Sequence, residues 1–270
     1  MADSNDLFVR AQAASDSLCP DDILEELSDD LHGLVRGSVA ANTTVPRRLL
    51  YKLARDDDAE VRYTVAAESL NPPVEILVEL AGDEYGYVRC GVATHPRTPK
   101  SVLNALSKQK DPELLLAVAG NLATGAQALN RIAGDGSPKV RAQAARHPGC
   151  PAATLERLAK DPDSMVRQAV AANENTPAAA LAILIDDKYL EVRVAVARNI
   201  KSPASVLGKA VQDRSRRVRW AAARHPKLPS NQLVDLLQDR APYVQKAAAK
   251  VALQRDDVPD HIRAFVALSS

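Results

Sequence analysis

The chain contains few aromatic residues and few cysteines, and it lacks long apolar runs. Among its 270 residues are one tryptophan, six tyrosines, two phenylalanines and three cysteines. Three scattered cysteines are too few for a disulfide framework, and the first residues have neither the basic nor the apolar segment of a signal peptide. No run of about 18 apolar residues is present, so no transmembrane helix is predicted. These absences predict a cytoplasmic protein.

One motif, Val-Arg, recurs with variations along the whole sequence. Successive copies are 26 residues apart in every interval except one of 27, and alanine stands five residues after the valine in all ten copies. The valine position, which we call column zero, is occupied by Val9, Val35, Val61, Val88, Leu114, Val140, Val166, Val192, Val218 and Val244. Such a period predicts a stack of repeats, and hence one all-α solenoid domain over 1–270.

Each repeat is predicted to contain two helices. Proline, often preceded by Ser or Thr as in Thr98-Pro99, stands eleven residues after column zero and predicts a short helix, either α or 3₁₀. Aspartate stands five residues before column zero and is the expected N-cap of the helix that carries Val-Arg. We call these the Pro helix and the Val-Arg helix. The predicted repeats cover residues 4–29, 30–55, 56–82, 83–108, 109–134, 135–160, 161–186, 187–212, 213–238 and 239–270.

These motifs resemble known helical-repeat families. Aspartate followed by Val-Arg and paired alanines is similar to the second helix of HEAT repeats, and the Pro-x-x-Leu-Leu half is similar to the leucine-rich repeat variant, as over 161–177. The resemblance implies a right-handed superhelix and no activity. Some members of the variant family carry a cysteine-rich iron–sulfur segment at the N-terminus, where this chain has only Cys19.

An arginine row follows column zero in eight of the ten repeats. It could bind phosphates, or each arginine could pair with an aspartate of its own or a neighbouring repeat to form a ladder between layers. The fifth repeat favours the ladder, because Leu115 replaces the arginine and Gln109 replaces the aspartate together. The planar guanidinium suits such pairing because it can bond two acceptors.

No residue set predicts catalysis or cofactor binding. Cys19, Cys90 and Cys150 are two or more repeats apart, and so are His95, His147 and His225. Because stacked helices are ~8–10 Å apart, these side chains cannot share a metal. The histidines alternate with asparagine at the helix end, which favours capping. We therefore expect no cofactor, no metal site and no enzyme activity.

The aromatic residues gather on the side of the Val-Arg helix that is predicted to face solvent. Five of the nine stand one before or two after column zero, and two more, Tyr85 and Tyr189, stand three before it in the turn that leads into the helix. Basic residues join them in the last repeats. Aromatic and arginine side chains in an exposed groove are typical of binding hot spots. The candidate binding residues are Arg146, Arg198, Arg217, Trp220, Arg224, Tyr243, Lys246 and Lys250.

The charge distribution is asymmetric although the net charge is only +1. Residues 1–84 carry 18 acidic against 7 basic side chains, and residues 190–255 carry 4 acidic against 14 basic. The sequence predicts an adaptor or scaffold that holds an acidic protein or peptide segment in the groove of the last repeats. The alternative is a nucleic-acid-binding protein that uses the same basic groove, with a HEAT-like DNA glycosylase as a more distant version. Head-to-tail self-association through the oppositely charged ends is a third interpretation.

Overall fold

The structure, a computed structural model, describes residues 4–269, apart from the side chains of Phe265 and Ser269. Over these residues it forms twenty α-helices and no β-strand, which confirms the predicted all-α repeat fold. The Pro helices are α-helices of about two turns rather than 3₁₀ segments. The chain divides into two compact units, which we call unit 1 (1–132) and unit 2 (133–270). The single domain over 1–270 and the superhelix handedness stay predictions.

Unit 1 contains five pairs of helices, in each of which a Val-Arg helix precedes a Pro helix. The Val-Arg helices pack against one another in chain order, so each layer grows by one helix per repeat. The helices are α1 (Leu7–Ser15), α2 (Asp21–Leu27), α3 (Gly33–Ala41), α4 (Arg47–Leu53), α5 (Ala59–Ala67), α6 (Val74–Leu80), α7 (Gly86–Thr94), α8 (Lys100–Leu106), α9 (Pro112–Gly120) and α10 (Ala126–Ile132).

Unit 2 repeats the same arrangement with five further pairs. Its Val-Arg helices also pack in sequence order, and its Pro helices pack against their neighbours in a second layer. The helices are α11 (Pro138–Arg146), α12 (Ala152–Leu158), α13 (Ser164–Ala172), α14 (Ala178–Leu184), α15 (Leu190–Arg198), α16 (Ala204–Val211), α17 (Arg216–Ala223), α18 (Ser230–Leu236), α19 (Pro242–Ala252) and α20 (Asp260–Ser269).

The repeated small residues form the core of both units. Column zero is buried in every repeat except the first, and the alanine five residues later is buried in every repeat except the last. Alanine at this position lets successive Val-Arg helices approach closely, while leucines of the Pro helices, such as Leu77 and Leu155, fill the space between the layers. The predicted stacking face is confirmed.

The predicted N-caps are wrong by one or two residues. The Val-Arg helices are capped three residues before column zero, as by Asp58 and Asp163, whose carboxylates accept backbone N–H groups. The Pro helices begin one residue after the proline, so Pro99 itself occupies the N-cap position. Thr98 donates its hydroxyl to Val92 O at 2.5 Å, at the end of the preceding helix. Neither the aspartates five residues before column zero nor Thr98 caps the predicted helices, because their side chains bond neighbouring segments instead.

The aspartates five residues before column zero join the arginine row instead. Arg193 Nε donates to Asp213 Oδ2 at 2.7 Å and Nη2 to Oδ1 at 3.3 Å, while Nη1 donates to Asp187 O at 2.8 Å. Each arginine of the row except Arg89 thus bonds the carboxylate of the following repeat and the backbone of its own, and Arg89 bonds only the backbone. This confirms the predicted ladder. Its pairs are Arg10–Asp30, Arg36–Asp56, Arg62–Asp83, Arg141–Asp161, Arg167–Asp187, Arg193–Asp213 and Arg219–Asp239.

A second ladder runs through the Asn or His residue at the end of the Val-Arg helix. Asn199 Nδ2 donates to Ala171 O and Asn173 O, each at 2.8 Å, and its Oδ1 accepts the N–H of Lys201. His225 places Nε2 2.9 Å from Asn199 O, while its Nδ1 accepts the N–H of Lys227. Both side chains therefore close their own turn and tie it to the preceding repeat.

Candidate functional site

The Val-Arg helices of unit 2 carry seven of the eight predicted binding residues, and the eighth, Arg224, is the C-cap of α17. Val218 and Val244 are buried in the stack, which turns the opposite sides of α17 and α19 toward solvent. The capping of α17 by the Ser215 hydroxyl fixes where this helix begins and therefore which residues it exposes. Five of the predicted residues consequently lie together on α17, at its C-cap and on α19: Trp220, Arg224, Tyr243, Lys246 and Lys250.

These five residues line one concave depression of about 500 Å³. Ala247, Val251 and Gln254 complete its wall. The cations stand around a wall that is partly apolar, so the depression can hold an apolar group and bond an anion at its edge.

Two further depressions continue the first toward the preceding repeats of unit 2. One of about 260 Å³ shares Trp220 and Arg224 with it and extends to Arg198, and another of about 250 Å³ extends from Arg198 to Glu174 and Glu191. We call the first two depressions the basic groove, because their only formally charged side chains are Arg198, Arg224, Lys246 and Lys250. The third depression carries two carboxylates and one guanidinium.

Trp220 was predicted to point to solvent without facing the stack, and this prediction is wrong. The side chain is half-buried and packs on the apolar cluster of the last repeats, which includes Leu233 and Val244. Arg224 lies over the ring with its Cζ 4.6 Å from the centroid. Trp220 therefore packs on the core and lines the groove at the same time.

Tyr243 is more accessible than Trp220, with 37% of its surface exposed. Arg216 lies over its ring with Cζ 5.5 Å from the centroid. The ring pre-orders this guanidinium beside the groove through the attraction between a cation and a π-face. Arg216 was not among the predicted residues, although its position two residues before Val218 puts it on the same side of α17.

Arg217 and Arg146 do not line any of the three depressions. Arg217 donates to Glu191 Oε1 at 2.7 Å and Oε2 at 3.1 Å, so its charge is already balanced. Arg146 is exposed at the last residue of α11. The sequence did not reveal that Arg217 pairs with Glu191, which stands in the same column as Arg217 in the preceding repeat.

The cations of the basic groove lack acidic partners within the part of the chain that the structure describes. Arg198, Arg224, Lys246 and Lys250 are exposed, and none of them forms an ion pair there. By contrast, Arg219 of α17 bonds Asp239, and this ion pair holds the pKa of the Asp239 carboxyl below its ordinary value. The groove therefore concentrates positive charge that the fold itself does not use.

The cysteines and histidines have structural environments. Burial raises the pKa of the Cys150 thiol to about 11, which keeps it protonated and poorly nucleophilic at neutral pH. Burial also lowers the pKa of His95 and His225, whose ring nitrogens bond the backbone. No cluster of three or more potential metal ligands occurs among residues 4–269, side chains of Phe265 and Ser269 excepted. Among the helices described above, none has the length and apolar character needed to cross a bilayer.

Comparisons with known proteins agree with the repeat architecture. The family model described as leucine rich repeat variant matches residues 138–163. A solved leucine-rich repeat variant protein, described as having a novel repetitive structural motif, is 28% identical and has a TM-score of 0.60. The match covers 82% of this chain and 87% of that chain. The resemblance inferred from the sequence is therefore confirmed.

Other solved structures overlap less well. An engineered protein is 18% identical with a TM-score of 0.43, covering 98% of this chain and 89% of its own. A designed armadillo repeat protein is 16% identical with a TM-score of 0.23, covering 92% of this chain and 93% of its own. No curated protein sequence matches this chain.

Proposed function

We propose that this helical-repeat chain is a non-enzymatic scaffold that binds an acidic protein or peptide segment in the basic groove of unit 2. The observation that carries the proposal is the set of unpaired cations around Trp220 and Tyr243. A ligand carboxylate would bond Arg224, Lys246 or Lys250, and an apolar ligand side chain would enter the depression between α17 and α19.

The arrangement of the groove supports an extended segment as its ligand. The three depressions follow one another across several repeats rather than forming one enclosed cavity. An extended chain advances ~3.3 Å per residue, so about three of its residues span one ~10 Å step between neighbouring helices. We therefore expect successive acidic residues to reach successive repeats. The exposed carboxylate of Glu174 favours a neutral or basic ligand residue at that end, whereas Glu191 is paired with Arg217.

A nucleic acid is the alternative ligand for the same groove. Base stacking needs an accessible aromatic face, and Arg224 covers one face of Trp220 while the core cluster takes up much of its remaining surface. The limited access to the Trp220 ring therefore favours an acidic peptide over a nucleic acid.

Binding of a fluorescent octaglutamate peptide to the full chain tests the proposal. Truncating Arg224 or Lys250 to Ala should weaken the peptide about tenfold, because a charged contact at a partly desolvated site is lost. Arg146→Ala is the matched control, since it removes an exposed arginine that does not line the groove. The same loss with Arg146→Ala would mean that overall charge, and not the groove, attracts the peptide.

Salt dependence separates the two ligand classes. A thymidine dodecamer bound through several of its phosphates should lose affinity log-linearly and steeply with salt, and an acidic peptide that also places an apolar side chain in the depression should lose less. If the oligonucleotide binds more tightly than octaglutamate at physiological salt and Arg224→Ala abolishes its binding, the nucleic-acid alternative replaces the peptide proposal.

A further inference from the structure

Unit 1 contains an aromatic arrangement equivalent to the one in the basic groove. The rings of Tyr63 and Tyr87 have centroids 5.9 Å apart, and Tyr85 lies 5.7 Å from Tyr87. Tyr63 stands two residues after column zero, as Trp220 does, and Tyr87 stands one residue before it, as Tyr243 does. In both units the first aromatic belongs to one repeat and the second to the next.

The cations of the basic groove have no counterparts around these tyrosines. The positions of Arg216, Arg224, Lys246 and Lys250 are occupied in unit 1 by Ala59, Ala67, Cys90 and Thr94. The column that holds Arg217 in unit 2 holds Glu60 here. The repeat therefore allows a matched comparison in which the aromatic frame is kept and the charge is changed.

Acidic side chains surround the tyrosines instead. Burial and the nearby negative charge of Glu60 raise the pKa of the Tyr87 hydroxyl, and the charge of Asp58 acts in the same direction. Glu84, with 78% of its side chain exposed, places Oε1 3.8 Å from Arg62 Nη2. That arginine is committed to Asp83 in the ladder. The Arg62 Cζ also lies 5.6 Å from the centroid of the Tyr85 ring. One guanidinium of the chain is therefore already held against a tyrosine ring of this surface.

The tyrosines are accessible to a ligand. Tyr85 is 46% exposed and Tyr87 is 38% exposed. Tyr63 is half-buried and lies against α7 at Gly91, where an added Cβ would approach its ring carbon Cδ2 to 3.1 Å. The missing side chain at Gly91 lets the ring lie flat on the helix and keeps the three rings together.

We infer that the tyrosine cluster of unit 1, formed by Tyr63, Tyr85 and Tyr87, binds a lysine- or arginine-rich segment of a partner protein. A ligand cation would lie over the exposed ring of Tyr87, where the π-face attracts it, and near the carboxylates of Glu60 and Glu84. The charge complementarity determines the partner, since anionic ligands are repelled from this surface. The inference does not depend on the basic groove, which lies in unit 2 and would take the opposite charge.

Titration of the full chain with a fluorescent octalysine peptide tests this inference. Tyr87→Ala should weaken octalysine about fivefold through loss of a cation–π surface. Tyr87→Phe should retain most of the affinity, because it keeps the ring. Tyr243→Ala, at the equivalent position of unit 2, is the control and should leave octalysine unchanged. Circular dichroism melting of each variant confirms that the fold is kept.

Three outcomes would overturn the inference. The first is equal binding of octalysine and its fully acetylated form, because a neutral peptide carries no cation. The second is an equal effect of Tyr87→Ala and Tyr243→Ala. The third is self-association of the wild-type chain, measured by sedimentation, that Tyr87→Ala abolishes, because the occupant would then be a second copy. Octaglutamate binding, measured in parallel, reports on the basic groove alone, so the two proposals fail separately.

Discussion

His95 and His225 occupy a column that other repeats fill with asparagine, and their hydrogen bonds explain the exchange. In both residue types one atom accepts a backbone N–H two residues later, and another donates to a backbone carbonyl of the preceding repeat. The imidazole can make both bonds only when it is neutral, with the proton on Nε2. Burial and the nearby Arg97 or Lys227 also disfavour the protonated ring and lower its pKa.

The first prediction is that the double variant His95→Asn/His225→Asn loses less unfolding free energy than the wild type when the pH becomes mildly acidic. The folded pKa lies below the ordinary value of about 6.5, so the unfolded chain binds more protons as the pH falls below that value. The wild type should therefore lose stability on going from about pH 7.5 to about pH 5.5. The double variant keeps the ladder bonds but cannot titrate at these positions. Urea denaturation at both pH values measures the difference, and an equal loss in the two proteins would contradict it.

Cys150 gives a second prediction at the same scale. Its thiol is buried and has its pKa raised to about 11, whereas Cys19 and Cys90 are only partly buried. The thiolate is the nucleophile, so Cys150 should stay unmodified when the native chain is treated with iodoacetamide at about pH 8. Mass spectrometry of tryptic peptides checks this, with urea-unfolded protein as the reference for full modification. Rapid labelling of native Cys150 would contradict the burial described here.

At the scale of the helical element, the arginine ladder is interrupted once within unit 1. Arg89 lies in α7, but the carboxylate that it should bond is replaced by Gln109. Its Nη1 donates to Asp83 O at 2.6 Å, as the other arginines do, while its buried Nε has no partner among the described residues. The chain thus supplies its own example of a ladder arginine without its acceptor.

The third prediction is that Gln109→Asp restores this rung and stabilises the chain by about 1 kcal/mol, as expected for one partly exposed charged hydrogen bond. The nearby Asp111 is tolerated, because Asp56 with Asp58 and Asp161 with Asp163 have the same spacing in intact rungs. Gln109→Asn is the control, since it has the same shape without the charge. Thermal and urea denaturation measure the change. Equal stability of the Asp and Asn variants would show that Arg89 gains nothing from a carboxylate.

The fourth prediction separates stacking from binding. Replacing Arg193 with Leu removes two bonds to Asp213 and leaves that carboxylate without its cation. It should cost about 1.5–3 kcal/mol of unfolding free energy and leave the affinity for octaglutamate unchanged at temperatures where the variant is folded. Arg193 is buried and lines none of the three depressions. Loss of peptide binding without loss of stability would assign the arginine row to function.

At the scale of the whole molecule, each unit has the same repeat structure, and the two units differ in net charge. Residues 1–132 carry 20 acidic against 13 basic side chains, or −7, and residues 133–270 carry 14 against 22, or +8. The ladders bond neighbouring repeats, so a substitution is expected to act on its own repeat and the next one.

The fifth prediction follows from this short range. Arg36→Leu and Arg193→Leu lie in different units, so their effects on the unfolding free energy should add within about 0.5 kcal/mol. Arg167→Leu and Arg193→Leu meet at Asp187, which accepts the side-chain bonds of the first arginine and the backbone bond of the second. We expect these two to be non-additive. Double-mutant cycles in urea measure both pairs, and equal coupling in the two cycles would contradict nearest-neighbour stabilisation.

The sequence by itself determined the repeat, its two helices and the residues that stack. The 26-residue period and the alanine column left only one face on which Val-Arg helices could pack, because side-chain direction follows directly from helical periodicity. The joint absence of acid and arginine at Gln109 and Leu115 favoured the ladder, but the structure assigns the two residues to different rungs, because Gln109 takes the acceptor position of Arg89 and Leu115 the arginine position opposite Asp135.

Only the tertiary structure decided which polar atoms meet. The aspartates bond arginines twenty or twenty-one residues earlier instead of capping their own helices, because the stack brings those guanidinium groups to them. The structure also gathered Trp220, Arg224, Tyr243, Lys246 and Lys250 around one depression and paired Arg217 with Glu191. A column in the sequence fixes the side of a helix on which a side chain lies. Whether its charge is balanced depends on the neighbouring repeat, and that is set by three-dimensional packing.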